Sequence, residues 1–288
     1  MNWENTIIKI RKDPDFIELV RDAYFNADLI ANVERFRKST EFIETHRMLK
    51  EYKSDAPKLL DIGSGNGIAA VSFALEGYEV LAIEPDPSDT VGAGAIRKLQ
   101  QHYQLENLEV KEMIAEDLSS ENYQFEIIYV RQALHHAYDL NLFVKSATGL
   151  LKQGGVFMAV REHVIYDKKD KEWFLSSHPL QKFYGGENAF TLLEYELAFK
   201  GAGLSLLKKF GHYENVINYS PLNAADILQL KTKEIQDYKM FFSTKYKLAG
   251  KMGFAWTLYK WVKRIKEIDF PKERKIPGRL YSFIYKKQ

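Results

Sequence analysis

Apolar residues recur at helical spacing at Phe16, Leu19, Val20 and Ala23. They follow an Asp13-Pro14 pair suited to the cap and first position of a helix. The helical pattern runs on to about Tyr52, and Lys53 to Pro57 is polar and ends in proline, which predicts a break. From Lys58 the pattern changes to short apolar runs: KLLDI, EVLAIE, LEVKEMI, FEIIYV, GGVFMAV, LSLLKKF and, last, RLYSFIYKK. These predict seven strands. Helical stretches at Ile68 to Glu76, Val91 to Tyr103 and Leu140 to Leu151 lie between them, and TLLE at Thr191 to Glu194 has the spacing of a capping box. Strands alternating with helices predict an α/β fold with a mostly parallel sheet covered on both faces. Residues 1–53 then form an amino-terminal helical cap and 54–288 the main domain. A helical, polar insertion at about 213–278 precedes the final strand.

Composition agrees with a globular chain. Its 288 residues are 45% hydrophobic and 28% charged, enough to bury a sizeable core. There is no cysteine, which excludes a disulfide framework, a thiolate zinc site and a thiol nucleophile. The amino terminus, MNWENTIIKIRKDP, lacks the apolar core of a signal peptide, and no apolar run reaches membrane-spanning length, so a cytoplasmic setting is expected. The net charge of +2 hides an asymmetry. Lys231 to Gln288 carries 16 Lys and Arg against 5 Asp and Glu, a balance of +11, and the rest carries 25 against 34, or −9. A basic tail on an acidic body suits an anionic partner or a solvated helix.

In open α/β sheets the ligand lies beyond the carboxyl ends of the strands, and the first strand-to-helix turn does most of the holding. Here that turn is DIGSGNG, with Gly63, Gly65 and Gly67 at alternate positions. The dinucleotide fingerprint needs its third glycine at position 68, where this chain has Ile68, and no Lys-[Ser/Thr] pair follows as in a nucleoside-triphosphate loop. Asp61, just before the turn, suits a cationic ligand. Glu84, ending the second strand in VLAIEPDP, is placed to accept from a ribose diol.

With these motifs, MIAEDL, FEIIYVRQALHH and LLKQGGVFMAV included, Lys58 to Phe210 resembles the class I S-adenosylmethionine-dependent methyltransferases, above all the small-molecule ubiquinone/menaquinone-type group. The resemblance implies a Rossmann-like fold and S-adenosyl-L-methionine as cofactor. It implies that Asp61, Gly63, Ser64 and Gly65 surround the methionine part, with Arg131 near the same end. Glu84 would hold the ribose, and Ile114, Ala115 and Glu116 would border adenine; many relatives carry Asp where this chain has Ile114. RFRKSTEF, at Arg35 to Phe42, with the loop at His178 to Thr191, is similar to methyltransferases among bacterial cell-envelope polysaccharide enzymes.

Methyl transfer to a hydroxyl requires an aligned nucleophile and removal of its proton. His135 and His136 follow the fourth strand, and His163 closes the REH triplet that ends the fifth, so these three are the candidate bases. Packing or hydrogen bonding alone is the competing role. Arg161 suits an anionic substrate, against a strand-end salt bridge with Glu162. HPLQKFYGGENAFT reads as a lid with Tyr184 and Asn188 as hydrogen-bonding groups and Gly185-Gly186 as its flexible point.

The absence of an Asn/Asp-Pro-Pro-aromatic clamp after the fourth strand argues against a DNA amine as substrate. No His/Asp/Glu cluster has convincing metal-ligand spacing along the chain, so no metal is expected. In the insertion, Leu248, Met252, Ala255, Leu258, Val262 and Ile265 recur at helical spacing among Lys247, Lys251, Lys263 and Arg264. That stripe suits docking on the core or a second subunit, or peripheral contact with an anionic membrane. The expected activity is methylation, at oxygen, of a small-molecule or glycan acceptor. The alternatives are a protein or RNA methyltransferase, an NAD-dependent oxidoreductase on the same sheet, and a non-catalytic cofactor-binding module.

Overall fold

The computed structural model describes residues 2–52, 57–120, 123–245, 258, 261–262 and 278–288. The strands are β1 (Lys58–Ile62), β2 (Glu79–Ile83), β3 (Leu108–Lys111), β4 (Phe125–Arg131), β5 (Leu151–Ile165), the two-residue β6 (Phe190–Thr191), β7 (Leu204–Phe210) and β8 (Arg279–Lys287). Seven of them form one sheet in the order β3-β2-β1-β4-β5-β8-β7, and β6 adds to the end of β5. β1 to β5 pair in parallel, whereas β8 lies antiparallel between β5 and β7. The chain winds outward from β1 through β2 to β3 and then crosses to β4 on the other side. The switch point therefore falls between β1 and β4, the place at which open α/β sheets bind their ligands.

Both faces of the sheet are buried, as parallel strands require. Leu60, Ile62, Ile128, Val130 and Phe157 point into one core, covered by the helices Leu140–Gly149 and Leu192–Gly201. Their neighbours Leu59, Ile127, Tyr129 and Met158 point into the other, covered by Ile68–Leu75 and Ala93–Tyr103. The capping box is present, with Thr191 accepting from the Glu194 backbone and Glu194 returning the bond. Asp13 caps a 3-10 turn at Pro14–Phe16 that leads into Ile17–Asp22.

The amino-terminal helices Leu29–Arg37 and Thr40–Lys50, capped by Asp28 and Ser39, bury Val33, Phe36, Phe42, Met48 and Leu49 in the second core. Truncating a fully buried ring such as Phe36 would cost about 3–5 kcal/mol. The chain divides into two compact units, Met1–Pro221 with Pro277–Gln288, and Leu222–Ile276. Within the second unit the helix Ala224–Lys245 is described. Most of the basic apolar stripe at 246–265 lies outside the described residues, as do residues 53–56 of the polar break.

Sequence and structure differ most at β5. The strand does not end with the REH triplet at His163 but continues to Ile165, and its pairing with β8 shifts register between Ala159 and Glu162. Arg161 sits in that shift with φ of 61°, a left-handed conformation unusual for arginine. A bulge adds a residue to one strand and re-aims the side chains beyond it, here Glu162 and His163.

Candidate functional site

The glycine turn leaves β1 at the switch point. Gly63 has φ of 68°, and a Cβ built on it would lie 2.5 Å from the Cβ of Ala133, so the turn packs directly on the segment that follows β4. Gly65, with φ of 55°, has nothing within 4 Å of such a Cβ; its outer face is open. Asp61 is buried at the base of the turn and its Oδ2 has no hydrogen-bond partner among the described residues. Burial pushes this carboxyl up to about 7, against the hydrogen bond of Ser64. A buried oxygen in this condition calls for a donor or a cation.

Glu84 is buried at the end of β2 and accepts from the backbone N–H of Gly65 at 2.7 Å and of Asp86 at 2.9 Å. Burial pushes it too up to about 7, with those two N–H groups working the other way. The two acids thus flank an open glycine turn. Ala115 and Glu116 begin a 3-10 turn beyond β3 in which Ala115 is buried, and Ile114 beside it is 47% exposed.

Arg131 ends β4 with its side chain 10% exposed. Its Nε and Nη2 donate to the two oxygens of Glu41 at 2.6 and 3.1 Å, and its guanidinium lies 5.3 Å from the Phe36 ring centre. Arg161 shares Glu41 at 3.6 Å and donates through Nη1 to the carbonyls of Ile217, Asn218 and Ser220. Despite its burial, Glu41 is held below the usual carboxylate range by the two guanidinium groups. Glu41 belongs to the RFRKSTEF stretch, so one role of that stretch is to pin the amino-terminal helices to β4 and β5.

Glu162 does not pair with Arg161. Turned by the bulge and fully buried, it accepts from the backbone N–H groups of Ala133, Leu134 and His135 at 3.3, 3.3 and 2.9 Å, and from Nδ1 of His135 at 2.7 Å. Burial pushes its carboxyl up to about 7, against the three backbone donors. Glu162 therefore holds the segment on which Gly63 rests, a task that residue types along the chain did not reveal.

The three candidate bases come together. The ring of His135 lies 4.2 Å from that of His136 and 4.7 Å from that of His163. His136 donates from Nδ1 to the carbonyl of Gly186 at 2.9 Å and His163 from Nδ1 to that of Gly278 at 2.7 Å. His136 and His163 direct Nδ1 at carbonyl oxygens, which only accept, and His135 directs Nδ1 at a carboxyl that already takes three backbone N–H groups; with the hydrogen at Nδ1, each ring presents a lone pair at Nε2. Burial holds His135 well below the usual histidine range and His163 down to about 3.

The loop before β6 closes over this cluster. The Tyr184 hydroxyl donates to Glu187 at 2.6 Å and its ring packs on Trp3 at 4.7 Å; Asn188 approaches the Ala137 carbonyl at 3.5 Å. Phe16 meets Phe183, and Glu4 accepts from Thr90 at 2.7 Å. The helix Trp3–Ile10 thus spans from the loop after β2 to the loop before β6, a roof over the carboxyl ends of the strands.

A family model described as a methyltransferase domain matches residues 33–209. The ubiquinone biosynthesis O-methyltransferase of Acinetobacter baumannii (strain AYE) is 31% identical over 99 residues, 34% of this chain and 40% of that protein. The uncharacterized methyltransferase YcgJ of Bacillus subtilis (strain 168) is 29% identical over 140 residues, 47% of this chain and 54% of that one. The chain therefore spans about half or less of the length of these curated relatives. Among solved structures, a putative sarcosine dimethylglycine methyltransferase from Galdieria sulphuraria gives a TM-score of 0.56 at 18% identity over 86% of this chain and 84% of that one. The geranyl diphosphate C-methyltransferase of Streptomyces coelicolor A3(2), solved with Mg2+, geranyl diphosphate and S-adenosyl-L-homocysteine, gives 0.56 at 11% identity over 96% and 86%. Identities this low establish a shared fold.

Proposed function

Because the chain belongs to the class I S-adenosylmethionine-dependent methyltransferases, we propose that it methylates an oxygen of a small-molecule or glycan acceptor bound over His135, His136 and His163. One observation carries this reading: Gly63 of the cofactor turn touches Ala133, two residues before His135, so a methyl donor in the turn lies beside the cluster of Nε2 lone pairs. Bound there, the cofactor supplies an electrophilic methyl group for in-line displacement by the acceptor.

The residues present fit that cofactor. The unpartnered Oδ2 of Asp61 suits the ammonium of its methionine part, the open face of Gly65 leaves room for its chain, and Glu84 suits the ribose diol. Ala115 and its neighbours Ile114 and Glu116 offer a border for adenine beyond β3. Burial disfavours the charged form of His135 and His163, and an Nε2 of the cluster, which includes the exposed His136, accepts the acceptor's proton as the new bond forms. Tyr184 and Asn188, on the closing loop, orient the acceptor and exclude water. Arg131 and Arg161 act at one remove by fixing the cap over the site through Glu41.

The test is transfer of a radioactive methyl group from S-adenosylmethionine in cell extract supplemented with the purified chain. Label in an alkali-stable methyl ether of the small-molecule or glycan fraction supports the proposal. Label confined to protein or RNA overturns the acceptor class, and cofactor binding without any transfer overturns the enzymatic reading.

A further inference from the structure

The histidine cluster has a second partner that base chemistry does not use. Glu187, buried in the loop before β6, points Oε2 at Nε2 of His135 across 3.9 Å. The other nitrogen of His135 donates to Glu162, so the facing atoms are a carboxylate oxygen and a nitrogen lone pair, two acceptors with no hydrogen between them. Both are almost out of reach of water, the side chains being 3% and 5% exposed. Two buried acceptors aimed at each other repel unless a donor or a cation lies between them, and a third ligand atom close by favours the cation.

His136 completes the set: one ligand atom from each of His135, His136 and Glu187 lies within 4.8 Å of the others. Around an ion bound at about 2.0–2.2 Å, donor atoms stand roughly 3–3.5 Å apart, so small side-chain rotations close the site. We propose that His135, His136 and Glu187 bind a divalent first-row transition-metal ion, zinc by ligand type, beside the glycine turn.

The surrounding bonds are those a metal site needs. Metal-ligating histidines almost always donate their second nitrogen to a carboxylate or a carbonyl, which sets the ring and leaves the other lone pair for the ion. His135 does so to Glu162 at 2.7 Å and His136 to the Gly186 carbonyl at 2.9 Å. The outer oxygen of Glu187, Oε1, is held by the Tyr184 hydroxyl at 2.6 Å, which leaves Oε2 for the ion. Two imidazoles and one carboxylate select zinc, cobalt or iron over magnesium and calcium, which take oxygen ligands. Three protein ligands leave a position for an outside oxygen, as catalytic zinc sites do.

This deepens the reading of the cluster as the acceptor site and rests on it only for the ion's role. An acceptor hydroxyl on the open position loses its proton near neutral pH and attacks the methyl carbon as an alkoxide. The proton goes to solvent, the methyl group to oxygen, and the cofactor leaves as the neutral thioether. The ion then does the acidifying that would otherwise fall to Nε2. Ligand spacing along the sequence could not show the site, because His136 and Glu187 are 51 residues apart and meet only when the loop before β6 folds over β4.

The test uses the untagged full chain, stripped with a chelator and titrated with Co2+ while its visible absorption is followed, then back-titrated with Zn2+. The expected result is one Co2+ per chain with the bands of a four- or five-coordinate site, displaced by one Zn2+. Affinity should fall roughly a hundredfold in His136→Ala and in Glu187→Gln, on the scale of lost metal-site contacts. S-adenosylhomocysteine affinity, measured by calorimetry, shows that each variant is folded. Wild-type protein that binds the cofactor product but no Co2+, or Co2+ binding of equal strength in both variants, overturns the site. Absorption does not depend on turnover, so a chain that binds the ion but methylates nitrogen or carbon would sink the oxygen reading and leave the metal site standing.

Discussion

Glu162→Gln isolates the contact that joins the histidine cluster to the glycine turn after β1. The wild-type carboxylate takes four hydrogen bonds, two at Oε1 from Ala133 and Leu134 and two at Oε2 from the backbone and ring of His135. Glutamine has the same shape but only one acceptor oxygen. If that oxygen keeps the shorter bonds to His135, its NH2 group faces the N–H groups of Ala133 and Leu134, leaving two buried donors without partners. Each such donor costs about 1–3 kcal/mol, and since these two bonds are long at 3.3 Å the lower end applies, about 2–3 kcal/mol in all. With m of about 2 kcal/mol/M the urea midpoint moves down by roughly 1 M. Turnover should fall as well, because the segment under Gly63 loosens and the His135 ring loses a charged acceptor. A roughly tenfold drop in kcat at saturating cofactor is expected. A midpoint within about 0.2 M of wild type, roughly a fifth of the shift expected at that m, together with unchanged kcat would refute the reasoning.

Three further outcomes follow from the same contacts. Glu41→Gln leaves two buried guanidinium groups short of their counter-charge and should cost about 3 kcal/mol at pH 7 in denaturant unfolding. Glu41 is held low in the folded state, so its contribution is present above the ordinary carboxylate range and lost as pH falls; the gap between variant and wild type should close on acidification, and a constant gap would count against the ion pair. Gly63→Ala places a Cβ 2.5 Å from that of Ala133 at a φ of 68°, and calorimetry should show weakened cofactor binding with about 1–3 kcal/mol of lost stability; normal binding in a stable variant would contradict the close approach. Glu84, pushed up to about 7 without ligand, accepts from both hydroxyls of a ribose diol only when ionised, and Asp61, also at about 7, pairs with an ammonium only when ionised, so cofactor affinity should rise with pH through that value. Glu84→Gln should bind about tenfold more weakly at pH 8 with a flatter pH profile, and a profile identical to wild type would remove Glu84 from the site.

The periodicities along the chain determine much of this protein. Alternating strand and helix patterns set the layered sheet, because both faces of β1 and β4 must find apolar partners. DIGSGNG sets the glycine turn after β1, because positive φ at Gly63 and Gly65 is a local property of the backbone. The capping box at Thr191 is likewise legible, its two bonds spanning three residues. What folding alone decided is who meets whom at the carboxyl ends of the strands. The sequence offers Glu162 as one salt-bridge partner for Arg161, yet a register shift in β5 turns it 27 residues back onto His135, while Arg161 and Arg131 share Glu41 from the amino-terminal helices. Glu187 reaches the histidines only because its loop folds across β4. Local rules encode turns and periods in the chemistry of adjacent residues; a charge partner is chosen by which loop lands beside it, and that depends on packing across the whole sheet.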